Sequence, residues 1–153
     1  MTYKSFPVKV YAASVACGLS SLTIFPWVHY PAGEETRLWL FPGWIALPIG
    51  MLAMFGSVAV ALFSRHRASL IVMTAVVLSV AFTGVYAAVL ISRYDDGGSF
   101  YGGPTNMVVP FPGIGGPLAI LAALLGATAA GGAYRLARRP TKQQSETFTP
   151  KNS

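Results

Sequence analysis

The stretch "SLIVMTAVVLSVAFTGVYAAVLIS", residues 69–92, contains no Asp, Glu, Lys, Arg or His. A helix needs roughly 20 apolar residues to cross the hydrocarbon core of a bilayer. A buried helix of a water-soluble domain is seldom this long and this free of charge. Its valines invite a strand reading, but the length and the absence of turn residues argue against it. In lipid an unpaired strand would leave its backbone polar groups unsatisfied, so a helix is expected.

Three further stretches read the same way: residues 10–28 ("VYAASVACGLSSLTIFPWV"), 44–63 ("WIALPIGMLAMFGSVAVALF") and 116–134 ("GPLAILAALLGATAAGGAY"). None carries an ionisable acid, base or histidine. The whole chain agrees: it is 54% hydrophobic and 10% charged, with a mean hydropathy of +0.55. A soluble domain carries about 25% charged residues. The expected fold class is therefore all-α: a polytopic membrane protein with a four-helix transmembrane bundle. One domain spans residues 10–139, between a short N-terminus (1–9) and a polar, disordered tail (140–153).

Charge sets the expected orientation. Lys4, Lys9, Arg65, Arg67, Arg135, Arg138, Arg139, Lys142 and Lys151 fall in the N-terminus, the 64–68 turn and the C-terminus. The other two connections hold only Arg37 and Arg93, with Glu34, Glu35, Asp95 and Asp96. The positive-inside rule places both termini in the cytoplasm of a plasma-membrane protein. An even number of spans requires both termini on one side, which agrees with the charge pattern. The short "SRHRA" turn makes the second and third helices antiparallel neighbours. Because the positive charge follows topology, nucleic acid is not expected as a partner; the lipid bilayer is.

The fourth stretch repeats small residues every four positions: Gly115, Ala119, Ala123, Ala127 and Gly131, beside Ala122, Gly126 and Ala130. The third repeats Ala75, Ser79, Thr83 and Ala87. The first shows Ala12, Ala16 and Ser20 beside Ala13, Cys17 and Ser21. Such rows let backbones approach closely, which is what holds helices together in lipid. They mark the expected seams, facing either the chain's own bundle or another membrane subunit, including a second copy.

Chemistry is hard to find. Cys17 is the single cysteine, so neither an internal disulfide nor a thiolate-rich metal site can form. His29 and His66 are expected on opposite sides of the membrane and cannot share a haem. Asp95 and Asp96 in "YDDGGSFYGG" are the best candidates for a cation site, but adjacent side chains diverge and no calcium-loop spacing follows. No cofactor and no catalytic residue is expected. Proton-coupled transporters usually keep an ionisable group at membrane depth, and these stretches have none. Pro26 and Pro48 read as helix boundaries rather than kinks. Trp27, Tyr30, Trp39, Phe41, Trp44, Tyr94, Phe100, Tyr101 and Phe111 read as an interfacial aromatic belt.

The third stretch, the Gly/Pro-rich loop of residues 92–116 and "GIGGPLAILAALLGATAAGGAYRLARR" together resemble small four-span membrane proteins of high-GC Gram-positive bacteria. The resemblance implies architecture and supplies no catalytic residue. The expected role is non-enzymatic: an accessory or assembly subunit of a membrane complex, working through helix–helix contacts. A small transporter or oligomeric channel component is the alternative. Ser79, Thr83 and Thr128 distinguish the two, according to whether they face packed helices or an aqueous path.

Overall fold

The computed structural model describes residues 5–29, 35–41, 43–64, 69–92 and 111–137. They form four helices: α1 (Phe6–Thr23), α2 (Ala46–Phe63), α3 (Leu70–Ser92) and α4 (Gly115–Ala137). Three two-residue strands, β1 (Val28–His29), β2 (Glu35–Thr36) and β3 (Phe111–Pro112), and one 3-10 turn at Leu38–Leu40 lie in the connections. Three helices, α2, α3 and α4, are long and apolar enough to cross a membrane. The α1 helix is the least oily, because it takes in Lys9 and four Ser or Thr residues.

Proline sets several helix boundaries. Pro7, Pro48 and Pro117 sit in the first turns of α1, α2 and α4. There the missing N–H has no partner to lose, and the fixed φ already suits the helix. Pro26 follows α1 by three residues, and the residue before a proline is pushed out of the helical region. Thus α1 spans residues 6–23, four or five residues earlier at each end than the oily stretch 10–28. The α4 helix runs three residues past Tyr134, because Arg135, Leu136 and Ala137 propagate a helix whatever their hydropathy.

The helices alternate in direction. Gly132 lies against Pro7, Gly126 against Ser14 and Gly115 accepts from Ser21, so α1 and α4 run antiparallel along their full length. Ser57 meets Ser79 and Gly50 meets Phe82 and Thr83, so α2 and α3 are antiparallel as well. The α4 helix also packs on α3 and α2, and α1 touches α2. The start of α1 and the end of α4 therefore lie at the same end of the packing.

The opposite end carries a cap. β1 pairs with β2 through Val28–Thr36 and His29–Glu35, and with β3 through Val28–Pro112 and His29–Phe111, both antiparallel. The strands are too short to show an alternating pattern in the sequence, and the β1–β3 pairing joins segments far apart in the chain. The first connection turns at Gly43, whose φ of 76° favours glycine over any residue with a Cβ. The Tyr86 hydroxyl of α3 donates to the Gly43 carbonyl at 2.8 Å.

Candidate functional site

The interior of the packing is built from small residues and its surface from large ones. Gly115, Gly116, Ala119, Ala122, Ala123, Gly126, Ala129, Ala130 and Ala133 are the buried residues of α4. On α1 they are Pro7, Ser14, Gly18 and Ser21. By contrast Leu52 is 75% exposed, Leu70 83%, Ile71 80% and Leu78 65%. A soluble protein keeps such side chains inside and rarely leaves large contiguous apolar surface in water. Here the exposed Leu, Ile, Val and Phe side chains recur along all four helices. This is the arrangement expected where the surrounding solvent is itself apolar and helices are held by close backbone approach.

The α1–α4 seam shows how close that approach is. The Ser14 hydroxyl donates to the Ala122 carbonyl at 2.6 Å, and the Ser21 hydroxyl donates to the Gly115 carbonyl at 2.7 Å. A Cβ on Gly126 would lie 3.3 Å from the Met54 Sδ and 3.4 Å from the Ser14 Oγ. A Cβ on Gly18 would meet the Phe55 ring at 2.5 Å, so α2 closes on the same region from the other side. Met54, Val58 and Leu47 are fully buried there and supply the bulk that the small residues lack.

Gly115, Ala119, Ala123 and Gly126 thus lie in the interior, whereas Ala127 and Gly131 lie on the exposed face of α4. A Cβ on Gly131 would meet nothing within 4 Å. The reason is geometric. At 3.6 residues per turn, each step of four overshoots a full turn by about 40°. A row of five small residues spaced by four therefore winds off any one face. The seam instead mixes steps of three and four, as in Gly115, Ala119, Ala122, Gly126, Ala129 and Ala133. On α1 the buried residues beyond Pro7 are Ser14, Gly18 and Ser21, while Ala12, Ala13 and Ala16 are exposed. The steps of four and three between those residues were the available sign of that face.

On α3, Thr83 and Ala87 are buried and Ser79 is half-buried, all facing neighbouring helices. The Ser79 and Ser57 hydroxyls lie 3.0 Å apart across the α2–α3 contact. Thr83 returns its proton to the Ser79 carbonyl at 2.8 Å, and exposed Thr128 returns its own to the Leu124 carbonyl at 2.8 Å. Such bonds to the preceding turn satisfy a hydroxyl without water. Among the described residues, no buried side-chain nitrogen or oxygen lacks a hydrogen-bond partner.

The cap locks α1 to α4. Trp27 is buried, and its indole Nε1–H donates to the Ser21 carbonyl at 2.9 Å. Its ring meets Phe41 edge-on at 6.2 Å. Gly113 donates its amide to the Trp27 carbonyl, and Gly115 donates to that of Pro26. Of the aromatics read as a belt, Trp27 and Phe41 are buried within the cap, beside Gly113, Gly115 and Leu38. Trp39 and Phe111 stay exposed, with the Arg37 guanidinium 5.2 Å above the Trp39 ring. His29 Nδ1 lies 3.5 Å from Glu35 Oε1, both side chains being exposed. Asp95 and Asp96 fall outside the described residues, as do His66, Tyr30, Tyr94, Phe100, Tyr101 and residues 138–153.

Comparison with known protein families, with curated proteins and with solved structures gave no match.

Proposed function

We propose that the chain is an integral plasma-membrane protein with four spans and both termini cytoplasmic. In this reading it acts without catalysis, as an accessory or assembly subunit bound to another membrane protein through helix–helix contacts. The observation that carries the reading is the environment of the polar side chains within the helices. Ser14, Ser21, Ser79 and Thr83 are spent on bonds to neighbouring helices or to their own, and among the described residues no row of free hydroxyls lines a path through the packing. This weighs against the alternative of a transporter built from one copy of the chain. The exposed small residue Ala127, outside the end groove of α4, marks an outward face on which a second helix can pack closely.

The α1 helix completes the fourth span through its fit to α4 rather than through its own hydropathy. Its polar Ser14 and Ser21 are shielded by α4, so the face left for lipid is oilier than the average of the helix. Purification of the tagged chain in mild detergent, followed by mass spectrometry, tests the role. A stoichiometric membrane-protein partner is the expected result. A lone homo-oligomer that makes liposomes permeable would replace this reading with the channel.

A further inference from the structure

A groove of about 250 Å³ opens between the first turn of α1 and the last three turns of α4. It is lined by Phe6, Pro7, Thr128, Gly131, Gly132, Arg135 and Leu136. Two glycines shape it in different ways. A Cβ on Gly132 would lie 3.1 Å from the Pro7 Cγ, so this glycine lets α1 close one wall. Gly131 leaves open space where any other residue would place a side chain. The walls are apolar except for two groups, the Thr128 hydroxyl and the Arg135 guanidinium. The amide end of α1 adds the positive pole of its helix dipole at the same place. Arg135 is the one basic residue in the last turn of α4, so it stands where the apolar length of that helix ends.

We infer that this groove holds one anionic phospholipid, with an acyl chain against Phe6, Pro7 and Leu136 and the phosphate at Arg135. The inference rests on the membrane reading above. Three features favour lipid as the occupant. The groove is mainly apolar and cationic at one end, which matches a lipid better than a free anion. It opens at the end of α4, beside the basic residue of its last turn. The sequence concentrates its cations on that side, with Lys4, Lys9, Arg138 and Arg139 close by in the chain. Basic pockets between helices at the cytoplasmic boundary are the recurring form of site for anionic headgroups.

The test is native mass spectrometry of the full chain released from detergent, after incubation with phosphatidylglycerol or phosphatidylcholine at equal concentration. The wild-type chain is expected to retain one phosphatidylglycerol in preference to phosphatidylcholine. Arg135→Gln should weaken that retention about fivefold. Gly131→Leu should abolish it while leaving Arg135 in place. This second variant puts its side chain into open space and replaces a poor helix former with a good one, so folding is not at risk. Equal retention of the two lipids, or unchanged retention in both variants, would overturn the proposal. So would displacement of the lipid by millimolar inorganic phosphate, which would mark a plain anion site, or a second protein chain released by Gly131→Leu. In each of those cases a detergent requirement for monodispersity would persist, so the membrane reading would stand. A chain that stays monomeric and folded in plain buffer would remove both.

Discussion

The Ser14 hydroxyl and the Ala122 carbonyl oxygen lie 2.6 Å apart across the contact of α1 with α4. The bond ties the helix with the fewest apolar residues to the helix richest in small ones. Ser14 is fully buried, so its hydroxyl must be satisfied by the protein. Hydrogen bonds between helices in membrane proteins contribute about 0.6 kcal/mol on average. Ser14→Ala should therefore lower stability by about that amount, read as a small fall in thermal midpoint in detergent. Ser14→Leu should cost roughly 1–3 kcal/mol, because the branched chain must push α4 away. Equal midpoints for the two variants would show that the contact is not a close one.

Gly126 and Gly131 make a matched pair on one helix. At Gly126 a side chain would press on Met54 and Ser14; at Gly131 it would enter open space. Gly126→Leu should destabilise the fold by roughly 1–3 kcal/mol. Gly131→Leu should leave the midpoint unchanged or raise it through better helix propensity. Thermal unfolding of both variants in one detergent gives the comparison directly, and a reversed order would mean that α4 is rotated from the face described.

Trp27 is the centre of the cap, and its role divides into a bond and a volume. Trp27→Phe removes the indole N–H that reaches the Ser21 carbonyl and should cost about 1 kcal/mol. Trp27→Ala also empties the space over Gly115 and should cost about 3–5 kcal/mol. Gly113→Ala should be as damaging as the larger of these, since its Cβ would collide with the backbone of Pro26. Limited proteolysis within residues 24–45 would report the loosening before global unfolding does.

Ser79 and Thr83 discriminate a packed interface from a water path. With both facing α2, cysteines placed at these positions should resist a charged, membrane-impermeant thiol reagent in intact vesicles. The background chain for that experiment carries Cys17→Ala. Rapid labelling at Thr83→Cys, a fully buried position, would argue for an aqueous route and for the channel reading.

Much of this architecture is legible in the sequence, and the parts that are not have physical causes. The oily stretches 44–63 and 69–92 come within two residues of α2 and α3, because strongly apolar runs bounded by Gly, Pro or charge leave little freedom in register. The α1 helix is displaced toward the N-terminus because hydropathy reports which residues suit lipid, while the helix obeys Pro7 and Pro26. The inward face of α4 is partly legible, as Gly115, Ala119, Ala123 and Gly126. Ala127 and Gly131 belong to the same numerical row yet not to the same face, since a spacing of four and a turn of 3.6 drift apart. The cap is the part that composition hides. Trp27 and Phe41 look like interfacial aromatics, and only the pairing of Val28 with Pro112 shows that they are enclosed.

The central claim is that the large exposed side chains of α3 are bathed in lipid and not water. Leu78, near the middle of that helix and 65% exposed, is the place to measure it. A nitroxide attached at Leu78→Cys, on a Cys17→Ala background in liposomes, reports its surroundings through collisions with two relaxing agents. Dissolved oxygen concentrates in acyl chains, and a nickel chelate stays in water. The account predicts relaxation dominated by oxygen; relaxation dominated by the nickel chelate at this position would contradict it.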